Sequence, residues 1–338
     1  MVGIALLGAG FAGKRQLECW QRVPEARVVG LWNRTAERGR AAAQRFGVPF
    51  YPDLEDLLAD LAVDAVDIAT TPETHLAFTR QASAHGKPVL CQKPLADSYD
   101  ESEAIVSACE RAGVRLMANE NFRWRPWYRV AKQVVRSGAL GDLFHLRLTY
   151  RDSLAVATAE RPAAQVFDDE PYLKKAERLV LIDMGPHNFD IVRFLFGDPE
   201  TVYARAHKVT PFLAGEEVAT ALLGYPGRTA VVEASFASIG YPPGIQSDEL
   251  IIEGREGTLR LGWDGQLTLR RRLGGEERFA VDVTDYRLRA WTAALAHFVE
   301  CLRSGAPFET PGRDYLKTMR FVFAAYESAE TGLPVRAG

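Results

Sequence analysis

The sequence predicts an α/β protein: an N-terminal doubly wound parallel sheet, then an α+β domain built on a mainly antiparallel open sheet. Three observations carry this expectation. Short apolar runs alternate with helical patterns up to about residue 122. The first of those runs leads directly into Gly8-Ala9-Gly10-Phe11-Ala12-Gly13. Beyond residue 122 strand-like runs follow one another with little but turn residues between them, the pattern of an antiparallel sheet. A single core stops growing near ~250–300 residues. The 338 residues are therefore divided into two domains, 1–122 and 123–338.

The elements follow in order. Val2–Leu7 is an apolar strand run, succeeded by a Gly-rich turn and a helix to about Arg22. Arg27–Trp32 leads to an Ala/Arg-rich helix, Thr35–Phe46. Ala65–Ala69 precedes a helix from Pro72 to His85, Pro88–Cys91 precedes one from Ser98 to Ala112, and Val114–Ala118 is the fifth run. Near-continuous apolar strands in a β-α-β-α rhythm imply a parallel sheet covered on both faces. A helix at Trp127–Ser137 then leads to Leu143–Arg151, and another helix lies near Val180–Phe196. Strand-like runs follow at Thr201–Val209, Val218–Tyr225, Thr229–Ala237, Glu249–Glu253, Thr258–Gly262 and Gln266–Arg272. Pro226-Gly227, Gly254 and Gly274-Gly275 punctuate them. Helices at Arg289–Arg303 and Gly312–Glu330 close the chain. One face of the second sheet is expected to be free for another subunit, giving a homodimer or homotetramer.

Composition narrows the function. Hydrophobic residues make up 47% and charged residues 25%, and the net charge is -3; this is an ordinary globular balance without the basic stripe of a nucleic-acid binder. Cys19, Cys91, Cys109 and Cys301 form no Cys-x-x-Cys pair, which points to reduced thiols in the cytoplasm rather than to a zinc or redox site. His85, His145, His207 and His297 have no metal-ligand spacing, so no metal is assigned. No apolar run reaches the ~18–20 residues of a membrane span. The first fifteen residues lack a basic n-region and are read as strand and turn rather than as a signal segment. A Gly-x-Ser-x-Gly hydrolase elbow is absent.

Gly8, Gly10 and Gly13, with Phe11 and Ala12 between them, fit the G-x-G-x-x-G fingerprint of a dinucleotide-binding Rossmann domain, and they stand between a strand and a helix as it requires. The helix N-terminus would present N–H groups and partial positive charge to a pyrophosphate. An NAD site usually carries an acid at the end of the second strand. Here Asn33 stands there, followed by Arg34, with Arg38 one turn on. With no carboxylate to repel a 2′-phosphate, and two arginines to pair with one, NADP(H) is favoured over NAD(H).

Lys93 follows the fourth strand run within Cys91-Gln92-Lys93-Pro94. Ligands of open α/β sheets bind beyond the carboxyl ends of the strands, which puts Lys93 near a cofactor; an idle surface lysine is the alternative. Asp183 and His187, four apart in a helical stretch, share one helix face. On spacing alone this is either a surface pair or a catalytic pair, and Pro186 sets it in the first turn.

These segments together resemble the Gfo/Idh/MocA oxidoreductase family. The resemblance runs through Gly8–Gly13, Val63–Pro72 with His75, Gly86–Val89, Gln92-Lys93-Pro94, Asn121–Trp124, Asp183–His187 and Gly332–Val335, nearly the whole chain in the family's order. It implies an oxidoreductase that moves a hydride between a nicotinamide cofactor and a sugar, polyol or related cyclic alcohol or carbonyl. It implies that His187 transfers the proton, that Asp183 binds or orients substrate, and that Lys93 completes the set. Thr70, Thr71, Pro72 and Gln92 become cofactor neighbours, and His75 is either another or a structural residue at a helix start. Asn121 and Arg123, after the fifth strand run, reach the cofactor or the substrate, and Tyr172 either contacts substrate or makes an ordinary loop contact. The family usually has Glu where this chain has Gln92, which keeps the hydrogen bonding and loses the charge. Trp124, Trp127 and Tyr128 line either a sugar platform or a packed helix face. Two rival readings stand beside this one: a dinucleotide-sensing regulator without activity, against which the presence of Lys93, Asp183 and His187 speaks, and a glycosidase that oxidises its sugar transiently with the same residues.

Overall fold

The computed structural model describes residues 1–158, 174–240 and 248–337. The chain forms two compact units: Met1–Trp124 with Arg287–Met319, and Arg125–Tyr286 with Arg320–Gly338.

In the first unit five parallel strands, β1 (Val2–Leu7), β2 (Ala26–Trp32), β3 (Ala65–Ile68), β4 (Val89–Gln92) and β5 (Leu116–Asn119), lie in the order β2-β1-β3-β4-β5. Every residue of β1, β3, β4 and β5 is buried, which is why these strands read as near-continuous apolar runs, interrupted only by Asp67 and by Gln92 and Asn119 at strand ends. The helices between them are α1 (Phe11–Trp20), α2 (Ala36–Phe46), α3 (Leu54–Ala59), α4 (Pro72–Ala84) and α5 (Tyr99–Arg111). The sequence reading missed α3, a short helix capped by Asp53 Oδ1, which accepts from the backbone N–H of Glu55 (2.7 Å) and Asp56 (3.2 Å). The chain leaves β1 toward β2 on one side and returns to β3 on the other. The strand order therefore reverses at β1/β3, the crevice where such sheets take ligands.

Residues 287–319 join this unit, where the sequence division had put all of 123–338 in the second domain. Their apolar side chains explain the return. Leu295, Phe298, Val299 and Cys301 of α9 (Tyr286–Ser304) enter the same buried cluster as Ile4, Leu6, Leu17 and Leu90. The segment then covers the open edge of β5: Ala118 N–H donates to Thr310 O (2.9 Å) and Thr310 Oγ1 to Ala118 O (2.7 Å). Pairing an edge in this way satisfies backbone groups that would otherwise be free to template another strand.

The second unit carries β6 (Leu143–Arg151), β7 (Thr201–His207), β8 (Val218–Tyr225), β9 (Arg228–Ser235), β10 (Asp248–Gly254), β11 (Gly257–Leu261), β12 (Leu267–Arg271), β13 (Glu276–Phe279) and β14 (Val335–Arg336). Their order is β13-β12-β11-β10-β6-β9-β8-β7-β14. Only β6 and β9 pair parallel, so the sheet is mainly antiparallel. The edge strands β13 and β14 are too short and too polar to stand out in the sequence. α6 (Pro126–Arg136), α7 (Val180–Asp183) and α8 (Gly185–Phe196) also belong here, with α8 packed on β6 and β9. The last helix, α10 (Gly312–Thr331), runs through Met319–Arg320, where the two units divide. Along β7, buried Val202 and Ala204 alternate with exposed Tyr203 and Arg205, the period of a sheet buried on one face.

The sequence reading took Val180–Phe196 as one helix. The structure breaks it at Met184. Pro186 has no N–H to offer the carbonyl four residues back, and its ring disfavours helical backbone at Gly185.

Candidate active site

The three glycines after β1 have three separate local reasons. Gly8 turns the chain at φ +108°, and a Cβ there would stand 2.7 Å from Ala69 O. A Cβ on Gly13 would lie 2.1 Å from Gly8 O, so α1 can approach the turn only with glycine. Gly10 has an ordinary φ of −77° and nothing within 4 Å of a built Cβ. Its glycine therefore serves neither strain nor internal packing, and it leaves backbone open to a ligand. Phe11 is 47% exposed and Ala12 half-buried at the start of α1. The first N–H groups of such a helix have no intrahelical acceptor, and no acidic side chain lies in its first turn.

At the end of β2, Asn33 braces this turn: its Oδ1 accepts from Ala9 N–H (2.9 Å) and its Nδ2 donates to Thr35 O (2.8 Å). Arg34 and Arg38 are exposed, and neither forms an ion pair among the described residues.

After β3, Thr74 Oγ1 donates to Thr70 Oγ1 (2.7 Å), Thr71 Oγ1 donates to Glu73 (2.5 Å), and Pro72 opens α4. His75, read as either a cofactor neighbour or a structural residue at the start of α4, is fully buried, with Nδ1 3.0 Å from Leu95 O and Nε2 3.1 Å from Thr70 O. Burial lowers its pKa. The neutral ring donates its one N–H to one of these two carbonyls and packs between the end of β3 and the loop after Lys93.

Gln92 ends β4, opposite Asn119 of β5 in register. Gln92 Oε1 accepts from Lys93 N–H (3.3 Å), while Gln92 Nε2 and both polar side-chain atoms of Asn119 are buried without a hydrogen-bond partner. A buried polar group left unpaired costs about 1–3 kcal/mol, so three of them at the carboxyl ends of adjacent strands mark a place that receives polar atoms. Together with the open backbone at Gly10, they fit a dinucleotide along these strand ends. Lys93 is half-buried and joined to Pro94 by a cis peptide bond.

The sequence reading missed Glu120. This carboxyl is fully buried directly after β5; its Oε1 accepts from Phe122 N–H (3.1 Å) and its Oε2 from Tyr315 Oη–H (3.0 Å). Burial pushes it up to about 7, against the opposing effects of the Phe122 N–H, Lys93, Tyr315 and Arg123. Asn121 is buried next to it. Arg123 donates to Glu309 O (2.7 Å) and lies 4.0 Å from Asp314, so at least part of its guanidinium serves the returning segment. Trp124 packs against His297, the rings tilted by 48° with centres 5.4 Å apart.

In the second unit Trp127 is fully buried, with its ring centre 4.8 Å from that of Tyr286, and Tyr128 Oη–H donates to Asp248 (3.0 Å). Both are packing residues rather than a sugar platform. Asp183 ends α7, and His187 stands in the first turn of α8, buried to 4% exposure. Met184 keeps right-handed backbone between the helices (φ −95°, ψ −25°), so the two side chains remain about one turn apart. The reading also missed Glu216, whose carboxylate accepts from Leu179 N–H (3.1 Å), Leu181 N–H (2.9 Å) and Tyr326 Oη–H (2.8 Å). It caps α7 and so steadies the segment bearing Asp183. Tyr172 lies outside the described residues.

All four cysteines are free and buried. Among the described residues no cluster of His, Cys, Asp or Glu could hold a metal ion, and no helix is long and apolar enough to cross a membrane.

Comparison with known proteins agrees with this architecture. Residues 2–120 match the family described as an oxidoreductase family with an NAD-binding Rossmann fold, and residues 128–260 match the GFO/IDH/MocA C-terminal domain. A D-apiose dehydrogenase of Paraburkholderia graminis is 38% identical over 98% of this chain and 88% of its own. A D-apiose dehydrogenase of Rhizobium rhizogenes is 36% identical over 99% and 97%. A crystal structure of an oxidoreductase from Agrobacterium radiobacter in complex with NAD+, L-tartaric acid and magnesium superposes with a TM-score of 0.91 at 35% identity, covering 100% of this chain and 98% of that one.

Proposed function

This chain belongs to the Gfo/Idh/MocA oxidoreductase family, and from that premise we propose that it oxidises a pentose of the D-apiose type through Lys93, Asp183 and His187. It is a nicotinamide-dependent oxidoreductase acting on CH–OH groups of sugar-like substrates. The observation that carries the finer reading is the 38% identity to a D-apiose dehydrogenase over 98% of the chain. A screen of pentoses, hexoses and polyols, read by nicotinamide absorbance, tests it. A higher kcat/KM for an inositol than for any pentose overturns the pentose assignment.

The backbone at Gly8–Gly13 and the amides of Gln92 and Asn119 would hold the dinucleotide. When bound, the nicotinamide ring supplies the hydride acceptor or donor. His187 takes the hydroxyl proton in oxidation and returns it in reduction, a task suited to imidazole because its ordinary pKa lies near neutrality. Lys93, as an ammonium, donates a hydrogen bond to the same oxygen and stabilises its developing negative charge. Asp183 orients substrate. NADP(H) is the favoured cofactor, since no carboxylate occupies the end of β2 and Arg34 and Arg38 are exposed there.

The protein acts in the cytoplasm as a homodimer or homotetramer, paired through the outward face of the second sheet. Tyr203 and Leu222, exposed and opposite one another in register, continue into Val231 on β9. Leu222→Asp should shift the mass measured by light scattering toward monomer.

A further inference from the structure

Glu120 belongs to none of the roles above, yet this buried carboxyl follows β5 as Lys93 follows the neighbouring β4. We propose that Glu120 is a positioning residue that holds Lys93 as an ammonium, with Tyr315 of the returning segment fixing the carboxyl in place. The inference rests on the reading that Lys93 works as a hydrogen-bond donor.

The argument begins with register. Gln92 and Asn119 are opposite one another on parallel β4 and β5. The residues that follow these two strand ends are Lys93 after β4 and Glu120 after β5, and the strand ends themselves lie about 4.8 Å apart. Glu120 has no exposed surface. Its oxygens are held from two directions, by Phe122 N–H on its own turn and by the Tyr315 hydroxyl from α10. The charged groups facing it are Lys93 and Arg123, with Asp314 beside the latter. A carboxyl buried for packing alone would be replaced to advantage by an apolar residue. One hydrogen-bonded on both oxygens and set beside a lysine has an electrostatic task. Burial brings it to about 7, so it is about half ionised at neutral pH and carries its charge in the alkaline range, where an ammonium in a ligand site most needs support. An ammonium has three donors. Holding Lys93 charged keeps them available to a substrate oxygen.

The test measures Lys93 itself. The rate of Lys93 acetylation by acetic anhydride is followed against pH in cofactor-free protein, by peptide mass spectrometry, for wild type, Glu120→Gln and Glu120→Asp. Glu120→Gln should lower the midpoint of Lys93 by about one pH unit, a tenfold change in proton affinity. Glu120→Asp, which keeps the charge on a shorter stem, should lower it less, and it serves as the probe if the glutamine variant does not fold. The alkaline limb of kcat should move in the same direction. An unchanged midpoint in variants that melt like wild type overturns the inference, and an inactive Lys93→Ala beside that result leaves the role of Lys93 standing. A fully active Lys93→Ala removes the role of Lys93 instead, while the labelling still reports whether the two charges are coupled.

Discussion

The indole N–H of Trp20 donates to Asp67 Oδ2 across 2.8 Å, tying the helix that begins at the glycine turn to the central strand β3. Gln16 of the same helix donates to both oxygens of Asp67, at 2.6 and 2.7 Å. Asp67 has no cationic partner among these donors, and burial pushes its pKa from 3.8 to about 7.

This arrangement makes stability pH-dependent. The folded state keeps a proton on Asp67 that the unfolded chain releases near pH 4. Stability contributed by that proton is therefore full below about pH 4 and is lost as pH rises toward 7. Asp67→Asn removes the ionisation. Relative to the variant, wild type should lose on the order of 1–4 kcal/mol between pH 4 and pH 8. Urea unfolding of both proteins across this range checks the sign.

The glycines of the turn should separate under mutation. Gly13→Ala places a methyl group against Gly8 O and should lower the melting temperature of cofactor-free protein. Gly10→Val meets no such neighbour. It should melt within a few degrees of wild type yet bind dinucleotide at least tenfold more weakly, as read by titration of nicotinamide fluorescence.

Lys93→Ala and His187→Ala should each lose ~10²–10⁴ in kcat, with cofactor affinity changed only a few-fold. Steady-state rates beside equilibrium binding of the dinucleotide decide this. Wild-type turnover in either variant removes that residue from the mechanism.

Arg34→Ala should weaken NADP(H) by about tenfold and leave NAD(H) nearly unchanged, the loss expected for one charge-assisted phosphate contact. Parallel Kd measurements with the two cofactors give the ratio. An unaltered ratio excludes Arg34 from recognition of the 2′-phosphate.

Much of this protein is written locally. The apolar runs of β1 and β3 to β5, the glycine spacing after β1 and the helix-breaking Pro186 each act over a few residues, through burial on both faces, a positive φ, a close approach or a missing N–H. The sequence by itself therefore determined the parallel sheet, the glycine turn after β1, the mainly antiparallel second sheet and the family. What it left undetermined depends on residues far apart in the chain. Nothing near residue 300 announces that Phe298 and Val299 complete the core of β1 and β3. Nothing near residue 120 announces that a hydroxyl 195 positions later will hold Glu120. The burial of His75 against two carbonyls and the bracing of α7 by Glu216 belong to the same class. Only the tertiary structure decided these, because the energy of a buried polar group is set by the donors and charges that folding brings to it, and those partners carry no periodic signal in the sequence.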